Sequence, residues 1–126
     1  MKTALITGGS RGIGRAIALT LGKNFHVIVG FANSEDKAND VVKEIVAAGG
    51  SASAVQIDIS NAESVDNAFS LVEKDYNSVD ILINNAGVTQ DNILPRMKEA
   101  EWLEVIQTHQ LLSFLVIYCL VKFLHY

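Results

Sequence analysis

The chain has 126 residues, of which 49% are apolar and 19% charged, and its formal net charge at neutral pH is −4. This length allows one domain with a single core, and the acidic balance gives no basic footprint for nucleic-acid binding. Cys119 is the single cysteine, so an internal disulfide bond is excluded. The apolar run at the N-terminus is too short for a signal-peptide core, and we expect a cytoplasmic protein.

Strand and helix patterns alternate from the start of the chain. Short apolar runs rich in β-branched residues predict four strands, at residues 3–7, 25–31, 52–57 and 79–84. Helical patterns lie between them, at residues 12–22, from a Ser34 cap to about residue 48, and from residue 60 to about residue 76. A last helix is predicted to begin near Lys98. There is no internal repeat or low-complexity tract.

Two of these helices carry more specific signals. In the first helix, Ile13, Ile17 and Leu21 recur at intervals of four and predict its buried face. The third opens with Ser60-Asn61-Ala62-Glu63, which has the spacing of a capping box with Ser60 as the N-cap.

Strands separated by helices predict right-handed βαβ units and a parallel sheet. The fold class is therefore α/β, a doubly wound parallel sheet of Rossmann type, with four strands that correspond to its N-terminal half. That topology places the fourth strand beside the first, and a ligand at the carboxyl ends of these two strands.

The first predicted strand leads directly into a glycine-rich loop and then a helix. Gly8 allows a sharp turn, Gly12 allows the backbone to approach a pyrophosphate, and Gly14 allows close packing of the helix on the strand. The helix N-terminus offers free N–H groups and the positive end of the helix dipole. The alternative is a glycine-rich turn without a ligand, which the strand–loop–helix context disfavours.

Three motifs resemble the short-chain dehydrogenase/reductase family. They are Thr-Gly-x-x-x-Gly-x-Gly at residues 7–14, Asp58-Ile59 after the third strand, and Asn84-Asn85-Ala86-Gly87 after the fourth. Residues 84–102 are similar to the 3-oxoacyl-acyl-carrier-protein reductases of fatty-acid synthesis, and the resemblance covers residues 3–108. It implies an NADP(H) site and an acyl thioester substrate on a carrier protein. The implied cofactor-binding residues are Gly8, Gly9, Ser10, Arg11, Gly12, Ile13, Gly14, Asp58, Ile59, Asn85, Ala86 and Gly87.

The end of the second strand bears on the choice of nicotinamide cofactor. NAD binders usually carry an acid there, which bonds the ribose 2′-hydroxyl, whereas here the first acid is Glu35, inside the next helix. Arg11 lies in the glycine loop, and similar reductases use this arginine for the 2′-phosphate of NADPH. The alternative is a solvated loop arginine. We expect NADP(H).

The family's catalytic residues are an asparagine, a serine, a tyrosine and a lysine. His109 stands where the resemblance implies the asparagine. Tyr118 and Lys122 have the family's Tyr-x-x-x-Lys spacing, but they follow Gly87 at about half the expected separation, and we interpret the match as coincidental. No catalytic residue is assigned, and the chain is predicted to be an inactive, truncated fragment.

Composition changes near residue 108. No acidic residue follows Glu104 and no alanine follows Ala100, which divides the chain into an NADP-binding half-domain, residues 1–108, and a divergent apolar tail, residues 109–126. We attribute the tail to loss of the family reading after residue 108 by frameshift, intron read-through or mis-assembly. The alternative is a genuine final helix that packs on the sheet. The uncharged run at residues 105–121 is shorter than a membrane span needs, so membrane insertion is not favoured.

Three functions remain open on these grounds. The first is an NADPH-dependent 3-oxoacyl reductase, as the resemblance implies for the parent protein. The second is a non-catalytic module that binds nucleotide or pairs with homologous subunits. The third is a product without function. A metal site is not predicted, because His26, His109 and His125 lack ligand spacing.

Overall fold

The computed structural model describes residues 1–77 and 79–85, which form a single parallel sheet with helices on both faces. Its elements in chain order are β1 (Thr3–Thr7), α1 (Gly12–Leu21), β2 (His26–Phe31), α2 (Glu35–Ala47), β3 (Ser51–Gln56), α3 (Ala62–Tyr76) and β4 (Ile81–Asn84). The strand order is β3-β2-β1-β4, with all pairs parallel. The predicted α/β class and the placement of the fourth strand beside the first are both confirmed.

The central strand β1 is buried along its whole length because its side chains alternate between two cores. Leu5 belongs to a cluster with α3, whereas Ile6 belongs to a cluster with α1 and α2. Both side chains are at most 1% exposed. Burial of an aliphatic side chain of this size contributes about 1.5–3 kcal/mol, so β1 stabilises the helix layers on both faces of the sheet.

The buried face of α1 differs from the prediction. Ile13 is 74% exposed, and Ile17 and Leu21 are only partly buried, whereas Gly14 and Ala18 are the buried residues of the helix. The prediction from aliphatic spacing was wrong at Ile13. Gly14 and Ala18 face the sheet instead, because residues this small allow the helix to approach the sheet more closely than isoleucines would.

The start of α3 also differs from the prediction. Its N-cap is Asn61, whose Oδ1 accepts hydrogen bonds from the N–H groups of Glu63 (3.0 Å) and Ser64 (3.2 Å). The Ser60 hydroxyl instead donates to Oδ1 of Asp58 at 2.6 Å. A carboxylate is a stronger acceptor than a hydroxyl or an amide, so Ser60 is held by Asp58 and the capping role passes to the next residue.

The predicted fourth strand is shorter in the structure, because it begins at Ile81 rather than at Val79. Val79 is buried, but Asp80 is exposed and its Oδ2 accepts the N–H of Thr3 at 2.8 Å. A side-chain oxygen thus takes the place of a ladder carbonyl, and regular pairing starts one residue later, at Ala4 with Ile81.

The remaining boundaries agree with prediction to within one residue. Ser34 occupies the N-cap position of α2, as predicted, but no cap bond is made by its side chain. None of the helices in residues 1–77 is long and apolar enough to cross a membrane. The predicted helix near Lys98 and the segment 109–126 lie outside the described residues.

Candidate functional site

The glycine loop joins β1 to α1 at the carboxyl edge of the sheet. Gly8 and Gly12 have φ values of +64° and +60°, in the left-handed region that only glycine enters at little cost. Among residues 1–77 and 79–85, no atom beyond the adjacent residues and the backbone of α1 lies within 4 Å of where a Cβ of Gly12 would be. The loop is therefore not covered at Gly12 by another element of this part of the chain.

Gly14 lies on the inner side of the same loop and is buried. A Cβ atom on Gly14 would overlap the carbonyl oxygen of Gly8 and would lie 2.5 Å from Nδ2 of Asn85. The close packing predicted for Gly14 was expected against the strand, and in the structure Gly14 packs against the loop residue Gly8 and against Asn85. Any side chain there would drive α1 away from the loop.

The N-terminus of α1 points its free donors at this edge. The first bond of the helix runs from the N–H of Arg15 to the carbonyl oxygen of Arg11, at 3.2 Å. The N–H groups of Gly12, Ile13 and Gly14 come before it and so have no intrahelical acceptor. The first turn contains no acidic residue. Free N–H groups and the positive dipole end make this a site suited to phosphate oxygens.

Asn85 ties the end of β4 to the glycine loop. Its Nδ2 donates to the carbonyl oxygen of Gly8 at 3.1 Å, and its backbone N–H donates to Oγ1 of Thr7 at 3.1 Å. The Thr7 hydroxyl, which is fully buried, donates in turn to the carbonyl oxygen of Ile83 at 3.3 Å. The loop is thus held from the β4 side by three hydrogen bonds, two of which involve a side chain that sequence reasoning left without a role.

Asp58 and Ile59 follow β3, two strands away from the glycine loop. Oδ1 of Asp58 accepts from the N–H of Ser60 at 3.0 Å as well as from its hydroxyl. Ile59 is only 6% exposed and belongs to the core beneath α3. The Asp58 carboxylate is therefore the part of this pair that is accessible, while the Ile59 side chain serves packing.

The end of β2 lies beside the loop and carries no acid. Ala32 and Asn33, which follow β2, are exposed, and so is Arg11. Within residues 1–77 and 79–85 the one ion pair joins Arg15 to Glu44, at 2.6 Å. The Arg11 guanidinium is therefore not engaged by a carboxylate of that region.

The structure brings together the loop residues Gly8 to Gly14 and Asn85, and it sets Asp58 further along the same edge. Ala86, Gly87, His109, Tyr118 and Lys122 lie outside the described residues. No group of three potential metal ligands occurs in the part of the chain that the structure describes.

Sequence reasoning missed a polar cluster at the opposite, amino edge of the sheet. His26 is the first residue of β2; its Nδ1 lies 2.6 Å from the Ser51 hydroxyl and its Nε2 lies 3.1 Å from the Ser53 hydroxyl. Tyr76, at the end of α3, bonds Ser53 at 2.9 Å and stacks on the imidazole with ring centroids 4.7 Å apart. Alternate serines in a strand predict a shared face, but only the fold shows what meets them.

The sequence of this chain is similar to those of several known proteins. A family model described as short chain dehydrogenase matches residues 2–125. The 3-oxoacyl-acyl-carrier-protein reductase FabG of Staphylococcus epidermidis is 49% identical over 109 residues, which are 86% of this chain and 45% of the relative. The corresponding reductase of Synechocystis is 45% identical over 106 residues, 83% of this chain and 43% of the relative. FabG of Escherichia coli K12 is 39% identical over 108 residues, 86% and 43% respectively.

This chain spans less than half the length of these curated relatives. The matched region includes the whole of the described sheet and the glycine loop. On the family match and on these identities, the chain belongs to the short-chain dehydrogenase family.

Proposed function

We propose that this chain supplies the cofactor-binding half of a cytoplasmic, NADPH-dependent 3-oxoacyl-acyl-carrier-protein reductase. The observation that carries the proposal is the packing of Gly14 on Gly8, which leaves no room for a Cβ. That packing sets the open N-terminus of α1 at the carboxyl edge of the sheet, beside β4. The names of the relatives add the substrate class, an acyl thioester held on a carrier protein.

The residues present fit a dinucleotide. The N–H groups at the start of α1, from Gly12 to Gly14, would hold the pyrophosphate, and the left-handed Gly12 leaves space for it. Asp58 would lie on the adenine side, and Asn85 on the nicotinamide side. When bound, the nicotinamide supplies the hydride for carbonyl reduction.

The charge pattern at the end of β2 supports NADP(H) over NAD(H). An acid at that position would repel a 2′-phosphate, and Ala32 and Asn33 stand there instead. Arg11 is exposed in the adjacent loop, and a guanidinium forms paired hydrogen bonds with phosphate oxygens. Arg11 is the residue on which the proposal places cofactor selectivity.

The proposal is tested by titrating the purified chain with NADPH and with NADH. Arg11→Ala should weaken NADPH by about 1–3 kcal/mol, the value of a hydrogen bond to a charged group, and leave NADH nearly unchanged. Arg15→Ala is the matched control. Arg15 is also an exposed arginine and lies four residues further on, in α1, where it pairs with Glu44. Equal losses for both cofactors in Arg11→Ala would remove the 2′-phosphate role.

A second candidate function is nucleotide binding without catalysis, alone or with a homologous subunit. It is favoured by His109, which stands where the resemblance implies the family's asparagine. Mixing the chain with NADPH and an acetoacetyl thioester should give no oxidation of NADPH. Turnover that is lost in Tyr118→Phe would contradict this candidate and assign a catalytic role to Tyr118.

A further inference from the structure

We infer that Gly30, inside β2, is a positioning residue for the nicotinamide cofactor, because its missing side chain lets two cofactor-binding segments dock against the sheet. The inference rests on the proposed function and adds a residue that contacts no part of the ligand. An isolated glycine within a strand often marks a close approach of another backbone.

The first segment that Gly30 accommodates is the end of β1, which leads into the glycine loop. A Cβ on Gly30 would lie 2.9 Å from the carbonyl oxygen of Ile6 and 3.3 Å from Cα of Thr7. Both are backbone atoms at the end of β1, so they can move only if the strand and the loop move together. The carbonyl oxygen of Gly30 also accepts the N–H of Gly9 at 3.0 Å, which anchors the loop from the β2 side.

The second segment is the one that carries Asp58. The same Cβ would lie 2.9 Å from Cγ2 of Ile57, a core side chain that is 2% exposed. The N–H of Ile57 donates to the carbonyl oxygen of Phe31 at 2.8 Å, so this residue is fixed to β2 by its backbone. A methyl group at Gly30 therefore presses on both segments at once.

Two other crowded glycines provide controls at the opposite edge of the sheet. A Cβ on Gly22 would lie 2.7 Å from Cγ2 of Ile45, and one on Gly50 would overlap the carbonyl oxygen of Gly22. Gly22 ends α1 and Gly50 precedes β3, so neither is near the glycine loop. Alanine at these positions crowds the interior without pressing on the proposed site.

The experiment compares Gly30→Ala with Gly22→Ala and Gly50→Ala in the full chain. It measures the melting temperature, the Kd for NADPH at a temperature where each variant is folded, and hydrogen exchange of the Gly9 amide without cofactor. All three variants should have a lower melting temperature than the parent chain. Only Gly30→Ala should raise Kd, by about tenfold, and speed exchange at Gly9, while the controls stay within about twofold of the parent chain.

The inference is overturned if the Kd of Gly30→Ala for NADPH equals that of a control variant whose melting temperature has fallen by the same amount. If the parent chain itself does not bind NADPH, the proposed function fails, while exchange at Gly9 still reports whether Gly30 positions the loop. Should Gly30→Ala not fold under these conditions, the parent chain and all three variants are compared in trimethylamine N-oxide, an osmolyte that stabilises folded states. A Kd of Gly30→Ala equal to that of the controls there also overturns the inference.

Discussion

The two edges of the sheet treat their polar groups in opposite ways. At the carboxyl edge, the N–H groups at the start of α1 have no intrahelical acceptors, and Thr7 and Asn85 hold the glycine loop from the β4 side. At the amino edge, His26 and the hydroxyls of Ser51, Ser53 and Tyr76 bond one another. The first edge has helix N–H donors without acceptors in their own helix, whereas at the second edge the four polar side chains bond one another.

The contrast follows from side-chain size and from strand direction. In a parallel sheet the helices that follow the strands all begin at the carboxyl edge, so the positive dipole ends collect there. The amino edge receives the helix ends and has no such field. There, a neutral imidazole flanked by two hydroxyls can donate from one nitrogen and accept at the other. We therefore expect substitutions at the carboxyl edge to change the affinity for the cofactor, and substitutions at the amino edge to change stability alone.

The largest expected effect is from Gly14→Ala, which would disrupt the packing of α1 on the glycine loop at the carboxyl edge. The new Cβ would overlap the carbonyl oxygen of Gly8, so α1 must move off the loop. We expect a loss of about 3 kcal/mol in the free energy of unfolding and a rise of about 100-fold in the Kd for NADPH. Urea titration and cofactor fluorescence measure the two. Thr20→Ala, on the exposed face of the same helix, should change neither, and normal binding by Gly14→Ala would refute the close-packing account.

Thr7→Val tests whether the hydrogen bonds behind the loop contribute to its stability. Valine matches threonine in shape but removes two hydrogen bonds, the one that Oγ1 accepts from the N–H of Asn85 and the one that it donates to the carbonyl oxygen of Ile83. The expected loss is about 1–3 kcal/mol of unfolding free energy, with weaker NADPH binding, although the N–H of Asn85 keeps its bond to Ile83. Thr20→Val removes an exposed hydroxyl bond to Ala16 and should cost less than about 0.5 kcal/mol. A similar small loss in both variants would show that the Thr7 hydroxyl is unimportant.

Tyr76→Phe acts at the amino edge and keeps the ring that stacks on His26. Loss of the bond to Ser53 should reduce the free energy of unfolding by about 0.5–1.5 kcal/mol and leave the Kd for NADPH unchanged. Ser70→Ala, at an exposed position of the same helix, is the control for stability. A change of cofactor affinity in Tyr76→Phe would mean that the two edges are coupled.

The smallest effect concerns pH. Burial lowers the pKa of His26 below its ordinary value of 6.5, because desolvation disfavours the imidazolium. Below that value the unfolded chain binds the proton more readily than the folded chain, so stability is highest above pH 6.5 and falls as the pH decreases through it. His26→Gln should lose this part of the pH dependence. Urea titrations between about pH 5 and 8 measure it, and parallel profiles for the two proteins would contradict the assignment.

Local patterns predicted most of the fold correctly. The bounds of β1 were correct at both ends, since a short apolar run that follows a polar residue and ends at a glycine is typical of a buried strand. Predictions failed where two local choices compete. Ser60 and Asn61 can each cap α3, and the nearby Asp58 decides between them. Likewise, Ile13 has the spacing of a buried residue, but the contact is made by Gly14.

For the site, the sequence determined the glycine loop and its place before a helix, because the unusual φ values and close approaches there demand glycine at specific positions. It also predicted, through the doubly wound strand order, that β4 pairs with β1. Only the tertiary structure decided that Thr7 and Asn85 hold the loop from one side and Gly30 from the other, and that His26 meets Ser53 and Tyr76. These contacts join residues from 21 to 78 positions apart, and which partner meets which depends on the register of packed strands, which no local pattern contains.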